Sequence, residues 1–265
     1  MLKKRIIPKL LIDSMEIGSA ERPVLVRTRN YDEKFLIGDP ISQAKIYQAQ
    51  LADELALINI TSRPIVKSPH ILRSVEKLAT EVFMPISVGG GIESIEDVSL
   101  LLESGADKVI INSAAVRDPS FITRTAHMFG AQCVVVAIDF RVDVDTGDAF
   151  VMTNRASVRT KWALCDWANE AVRLGAGELM INDADYDGSS EGLRSEYFKS
   201  VSSSVVVPVI GSCGVGLGSH FTDGFMQGGL EGVGAGTFFT LRDQNPMQAR
   251  AHVLNAGIPI RYNTK

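Results

Sequence analysis

The sequence predicts an α/β fold, a (β/α)8 TIM barrel with a two-fold internal half-barrel repeat. Three observations carry that reading. Short β-branched runs alternate with longer helical patterns, no linker divides the 265 residues, and the two halves of the chain echo one another. Parallel strands joined by helical crossovers produce such an alternation. Eight units at this length favour a closed barrel over an open doubly wound sheet. The strand candidates are 5–12, 54–60, 84–88, 108–112, 133–139, 178–183, 206–212 and 231–236. Helical patterns lie near 41–52, 69–81, 95–104, 118–129, 160–173, 191–202, 218–228 and 245–256. The stretches 17–37 and 141–158 read as excursions after the first and fifth strands. No Pro/Gly/Ser-rich break or low-complexity run interrupts the pattern, so 1–265 is expected to be a single domain.

The repeat shows as several matches at one offset. Pro85-Ile86-Ser87-Val88-Gly89-Gly90-Gly91 pairs with Pro208-Val209-Ile210-Gly211-Ser212-Cys213-Gly214, Glu54-Leu55-Ala56-Leu57-Ile58 with Glu178-Leu179-Met180-Ile181-Asn182, and the stretch from Gly105 with that from Gly229. Each pair is 123 or 124 positions apart, which reads as two four-unit halves.

Composition excludes several classes. Hydrophobic residues make up 45% and charged residues 22%, an ordinary soluble balance. A net charge of -4 gives no electrostatic case for nucleic acid, whose binders usually carry a basic face. No apolar run reaches the roughly 18 residues of a membrane span. The start, Met1-Leu2-Lys3-Lys4-Arg5-Ile6-Ile7-Pro8, has an apolar stretch too short for a signal peptide, broken by Pro8 and Lys9. The cysteines Cys133, Cys165 and Cys213 are odd in number and scattered, which suggests neither a disulfide framework nor a zinc site. A reducing cytoplasmic location is expected, with no metal and no cofactor.

Two loops suggest phosphate sites. Gly89-Gly90-Gly91 follows a strand and precedes Ser94, a good N-cap. Glycines there let backbone N–H groups approach an anion, and a helix N-terminus favours negative charge. Asn112-Ser113 ends the fourth strand. The second half offers Gly214-Val215-Gly216 and Gly236-Thr237 in matching places. Two cradles at one mouth would suit a ligand phosphorylated at both ends; tight βα turns are the plainer reading. Asp139 ends the fifth strand, which puts its carboxylate at the mouth as a candidate general acid or base. The run Asp183-Ala184-Asp185-Tyr186-Asp187-Gly188 resembles a calcium loop but lacks its spacing and terminal Glu. Asp187 and Gly188 read better as the turn beside the second phosphate.

Charges also stand at the opposite end. Arg5, Glu54, Lys108 and Glu178 each begin an apolar strand, at the barrel's bottom. Separate solvated rim residues are the ordinary reading, and a ring of alternating sign is the functional one.

These stretches together resemble a known family over nearly the whole chain. The matching residues are Lys4-Arg5-Ile6-Ile7-Pro8, Ala52-Asp53-Glu54-Leu55, Val88-Gly89-Gly90-Gly91-Ile92, Gly105 to Val109 with Ile111-Asn112-Ser113-Ala114-Ala115, Val134 to Asp139, Gly175-Ala176-Gly177-Glu178 and Asp185-Tyr186-Asp187-Gly188. They resemble the cyclase (synthase) subunit of imidazole glycerol phosphate synthase, HisF. The resemblance implies a barrel that takes ammonia from a glutaminase docked at its bottom face and uses it on a bisphosphorylated ribulosyl-type substrate at the mouth. The products are imidazole glycerol phosphate, in histidine biosynthesis, and an aminoimidazole carboxamide ribotide. It makes Asp139 a catalytic aspartate. It assigns Gly90, Gly91, Asn112 and Ser113 to one phosphate and Asp187, Gly188, Gly214, Gly236 and Thr237 to the other. Arg5, Glu54, Lys108 and Glu178 become the gate of the ammonia route, and Asp107 and Gln132 lie on the face expected to meet the glutaminase.

The departures fall at the mouth. The family reads Cys-Leu-Asp where this chain reads Lys9-Leu10-Leu11, so a leucine stands in place of the first catalytic aspartate. Leucine neither gives nor takes a proton. Asp13 keeps the strand face but sits about 7 Å further along. Asn59 stands for a usual Asp, Tyr186 for Arg and Cys213 for Gly. The pattern resembles a divergent branch found in surface-polysaccharide pathways, thought to deliver ammonia for sugar amidination in lipopolysaccharide, O-antigen or nonulosonic acid biosynthesis. Three functions therefore compete: the family's cyclase and lyase reaction, ammonia delivery to another acceptor, and phosphate binding without catalysis.

Overall fold

The computed structural model describes residues 3–241 and 244–261, the side chain of Ile17 excepted. Met1 and Leu2 of the leading segment, and the outermost residues of the 1–265 domain assignment, lie outside that range. The strands are β1 (Arg5–Ile17), β2 (Ala20–Arg29), β3 (Glu33–Gly38), β4 (Leu55–Asn59), β5 (Ile86–Gly89), β6 (Lys108–Ile111), β7 (Val134–Val142), β8 (Ala149–Thr153), β9 (Val158–Ala163), β10 (Glu178–Asp183), β11 (Val209–Ser212) and β12 (Gly232–Ala235). Eight of them pair in parallel in the order β1-β4-β5-β6-β7-β10-β11-β12. β12 pairs again with β1, Arg5 against Gly232, which closes the barrel.

The other four strands build on two overlong barrel strands. β1 continues past the barrel and pairs antiparallel with β2, which pairs with β3. β7 does the same with β8 and β9. The excursions expected at 17–37 and 141–158 are thus hairpins that extend the wall above the mouth. One expected helix start is corrected here. Residues 160–163 belong to β9, and the helix begins at Leu164. The alternation Val158-Arg159-Thr160-Lys161-Trp162 has a period of two, and pairing with β8 satisfies its backbone.

The barrel's walls follow from that same period. Odd positions of β1 face inward and even positions face the helices. Ile6, Leu10 and Ile12 join the large core between sheet and helices, which also takes Tyr47, Phe121, Trp167 and Phe221. Ile7 joins a separate inner cluster with Ala56, Ile110, Val135, Ala137, Met180 and Ile210. This inner band fills the barrel's waist and leaves polar residues above and below it.

The C-terminal helix Pro246–Asn255 is strapped to the barrel. Buried Arg250 donates through Nη2 to Asp53 Oδ1 at 2.6 Å and to the Leu51 carbonyl at 2.7 Å. Asp53 Oδ2 accepts from the Ile6 backbone at 2.8 Å. Among the described residues, no helix is long and apolar enough to cross a membrane.

Candidate functional site

Inward positions two residues apart carry three kinds of side chain in succession. On β1 they run Arg5, Ile7, Lys9; on β6 and the residue after it Lys108, Ile110, Asn112; and on β10 Glu178, Met180, Asn182, while β7 adds Asp139 above the apolar Val135 and Ala137. The barrel therefore has a charged bottom, an apolar waist and a polar mouth.

At the bottom, the four charges point at each other. Arg5 Nη1 donates to Glu54 Oε2 at 2.8 Å, and its Nη2 donates to Glu178 Oε1. Lys108 Nζ donates to Glu54 Oε1 at 3.0 Å and to Glu178 Oε2 at 2.7 Å. Ser87 Oγ adds a bond to Glu54 Oε1 at 2.7 Å. The ring is closed, with each cation bonded to both carboxylates. Its side chains are 2–20% exposed, so solvated rim residues are ruled out. Burial works against the Arg5 charge, but Glu178 and Glu54 outweigh it and raise its pKa. Burial likewise opposes the Glu54 carboxylate, yet Lys108 and Arg5 bring its pKa below the usual value. Lys108 is the most exposed member, at 20%. Asp107 and Gln132 are exposed and adjoin the starts of β6 and β7 on this face. Asp107 also accepts from the Ile86 backbone at 2.8 Å.

At the mouth, Asp139 is buried and its carboxylate accepts three side-chain bonds. Asn182 Nδ2 donates at 2.8 Å, Asn112 Nδ2 at 2.9 Å and the Tyr31 hydroxyl at 3.1 Å. Burial dominates and raises its pKa; the bonds from Asn182, Tyr31 and Asn112, and the charge of Lys9, offset part of that. A raised pKa brings a carboxyl toward the range where it can both give and take a proton. The Asn112 Oδ1 atom is buried without a hydrogen-bond partner.

Asp139 lies in a cavity of about 460 Å³ whose lining includes Gly90, Gly91, Asn112, Ser113, Lys9, Leu11, Tyr31 and Asp187. A smaller cleft beside it is lined by Asp187, Gly188, Gly214, Gly236 and Thr237, with Lys9 and Leu11 shared. Both expected cradles thus open on one mouth. Packing already demands two of the glycines. Gly90 (φ +105°) would put a Cβ 2.1 Å from the Asn59 carbonyl, and Gly214 (φ +88°) would put one 2.0 Å from that of Gly192.

The family model described as "Histidine biosynthesis protein" matches residues 5–243. The chain belongs to this family. It is 46% identical over 261 residues to the putative imidazole glycerol phosphate synthase subunit hisF2 of Prochlorococcus marinus strain MIT 9313, covering 98% of this chain and 99% of that one. It is 38% identical over 263 residues to the imidazole glycerol phosphate synthase subunit HisF of Limosilactobacillus fermentum, covering 99% and 97%. The HisF of Geobacillus thermodenitrificans is also 38% identical, over 261 residues, 98% of this chain and all of that one.

Within this HisF-family barrel, several residues do something other than their sequence position suggests. Asp13 does not line the cavity that holds Asp139. Its carboxylate accepts from Lys34 Nζ at 2.6 Å and faces a second cavity, of about 260 Å³, with Ser14, Glu21, Arg63 and Arg155. Asn59 turns into its own loop, donating to the Arg63 carbonyl at 2.8 Å. Asp187 accepts from Thr28 Oγ1 at 2.7 Å and from the Tyr31 backbone at 3.0 Å, so its carboxylate anchors the β2–β3 hairpin. Asp183 and Asp185 are held by Arg194, and Asp185 also by Arg141 at 2.9 Å. Tyr31 and Lys9 were the residues that sequence reasoning did not place at the centre. Tyr31 lies in the 17–37 excursion, where no periodicity marked it. Lys9 was legible as an inward odd position on β1.

Proposed function

We propose that this chain is the synthase subunit of a glutamine amidotransferase complex. A glutaminase partner docks on the face near Asp107 and Gln132, and ammonia enters through the Arg5–Glu54–Lys108–Glu178 ring. It crosses the waist and reaches a phosphorylated substrate held at the mouth. The family reaction is imidazole glycerol phosphate formation, with cyclase and lyase steps, and in this reading the chain works as a single barrel domain in the cytoplasm.

The closed ring is the observation that carries the reading. Four paired charges at the centre of one barrel end are a costly way to gain stability, because apolar packing of that volume does as well or better. As a valve the same ring makes sense. The band above it, Ile7, Ala56, Ile110, Val135, Ala137, Met180 and Ile210, is apolar. Such a band disfavours ammonium, whose charge costs far more to desolvate than the neutral molecule. Nitrogen then arrives beside Asp139 as a nucleophile.

A second reading rests on Leu11 and Lys9. With Leu11 on β1, the mouth has no carboxylate facing Asp139 from that strand. This favours delivery of ammonia to another phosphorylated acceptor, such as a sugar to be amidinated, with little or no cyclisation.

Lys108→Met tests the conduit. Glutamine-driven turnover, with the glutaminase present, should fall at least tenfold, while turnover driven by ammonium salt stays within threefold. Equal losses in both would reject the valve. The two acceptor readings separate on cyclase turnover of the unaltered chain with the bisphosphate substrate and ammonium salt.

A further inference from the structure

The mouth holds a cation that the reaction as described leaves idle. Lys9 points inward on β1 and borders both the large cavity and the smaller cleft. Its Nζ donates toward Asn182 Oδ1 at 3.4 Å and Cys213 Sγ at 3.7 Å. Charge-assisted N–H···O bonds run at about 2.7–2.9 Å, so the Asn182 contact is long, and a thiol sulfur is only a weak acceptor. An ammonium has three donors, and a buried donor left poorly bonded is costly. Burial works against the Lys9 charge, and Cys213, Asp187 and Asp139 outweigh it to raise its pKa. Burial pushes the Cys213 thiol up to about 12, so at neutral pH the two carboxylates do the holding.

The placement is as telling as the charge. β1 and β7 stand on opposite walls, with β4, β5 and β6 between them one way and β10, β11 and β12 the other. Lys9 comes from the first wall and Asp139 from the second. The Asn182 amide spans the gap, its Oδ1 toward Lys9 and its Nδ2 donating to Asp139 at 2.8 Å.

We propose that Lys9 and Asp139 form an acid–base pair across the mouth, and that Lys9 Nζ takes the carbonyl oxygen of a phosphorylated ketone or aldehyde. The proposal rests on the ammonia-delivery reading and names the substrate's reacting group. The ammonia lone pair forms a C–N bond to the carbonyl carbon, and the C=O π pair moves onto oxygen. That oxygen takes a proton from the Lys9 ammonium, leaving a neutral amine. The new C–NH3⁺ group gives a proton to the Asp139 carboxylate. The product is a carbinolamine, and the proton on Asp139 returns to Lys9 through water at the open mouth. No oxidant, reductant or further reactant is needed.

Calorimetric titration of the full chain tests this with three probes: D-ribulose 5-phosphate, its alcohol counterpart ribitol 5-phosphate, and inorganic phosphate. The unaltered chain should bind the ketose phosphate at least tenfold tighter than the alcohol. Lys9→Met should abolish that preference and change phosphate affinity less than threefold; Lys9→Gln serves as a second neutral variant should the first not fold. Phosphate binding without ketone preference, a preference that survives in the neutral variant, or an equal loss for all three probes would overturn the pairing while leaving the conduit reading intact. If none of the three binds the unaltered chain, the phosphate mouth itself fails, and this inference with it.

Discussion

Restoring two-carboxylate chemistry to this mouth should take two substitutions. Leu11→Asp puts a carboxyl on the wall facing Asp139, at a half-buried position that lines the mouth. Lys9 lies two residues upstream on the same strand face, about 7 Å away along the strand. At an effective dielectric constant of about 20, a unit pair at that separation is worth about 2 kcal/mol. That attraction makes the protonated fraction of the new carboxyl roughly thirtyfold smaller. An aspartate held ionised in this way is a poor proton donor. Leu11→Asp alone should therefore yield only slow cyclase turnover. The double variant Lys9→Cys, Leu11→Asp should be at least tenfold faster. The assay is imidazole glycerol phosphate formation from the bisphosphate substrate with ammonium salt, which needs no glutaminase. An unaltered chain that already matches the double variant would refute the requirement for a second carboxylate. A single variant as fast as the double would refute the coupling to Lys9.

Asp139→Asn should lower ammonia-driven turnover by at least a hundredfold, the scale of a lost general acid or base. The same variant should alter the pH dependence of stability. The folded-state pKa of Asp139 is raised, so between its unfolded value near 3.8 and its higher native value the folded state binds the extra proton. Its contribution favours folding below that window and is lost as pH rises through it. Melting temperatures across this window should consequently fall less steeply for the asparagine variant, and an unchanged slope would count against the burial of the charge. Arg250→Met should destabilise the chain by about 3–5 kcal/mol in urea, because it strands a buried Asp53 carboxylate. A loss under 1 kcal/mol would show that the strap from the last helix is dispensable.

Much of the architecture was legible because barrel strands are buried on both faces and read as apolar runs. The stretch 178–183 matched β10 residue for residue, and 69–81 matched its helix. The hairpins were not legible as strands. In Asp13-Ser14-Met15-Glu16-Ile17 polar residues dilute the alternation, and in β2 the apolar run is only Val24-Leu25-Val26, flanked by charged residues, so neither stretch stands out until the two pair. The ring was visible as four charges at strand starts, but its closure depends on side chains meeting across the barrel axis. Asp139 was visible as a strand-ending carboxylate. Its bond from the Tyr31 hydroxyl was not, because it depends on where the hairpin folds back.

The two ends of this barrel differ in how freely they can change. Position 5 of β1 belongs to the charged ring, and positions 9 and 11 belong to the mouth, with one inward residue of waist between 5 and 9. At about 3.3 Å per residue, position 11 lies roughly 20 Å from position 5, so a substitution there leaves the ring untouched. The ring itself is coupled. Each of its four charges bonds to two others, and removing one strands buried partners in a setting where that costs several kcal/mol. Leu11 carries no such linkage, so replacing a carboxylate by a leucine at that position can alter the chemistry without unpairing the ring. On these physical grounds the barrel can change residues at its mouth more readily than in its charged ring, which is the arrangement that Lys9 and Leu11 above an intact ring present.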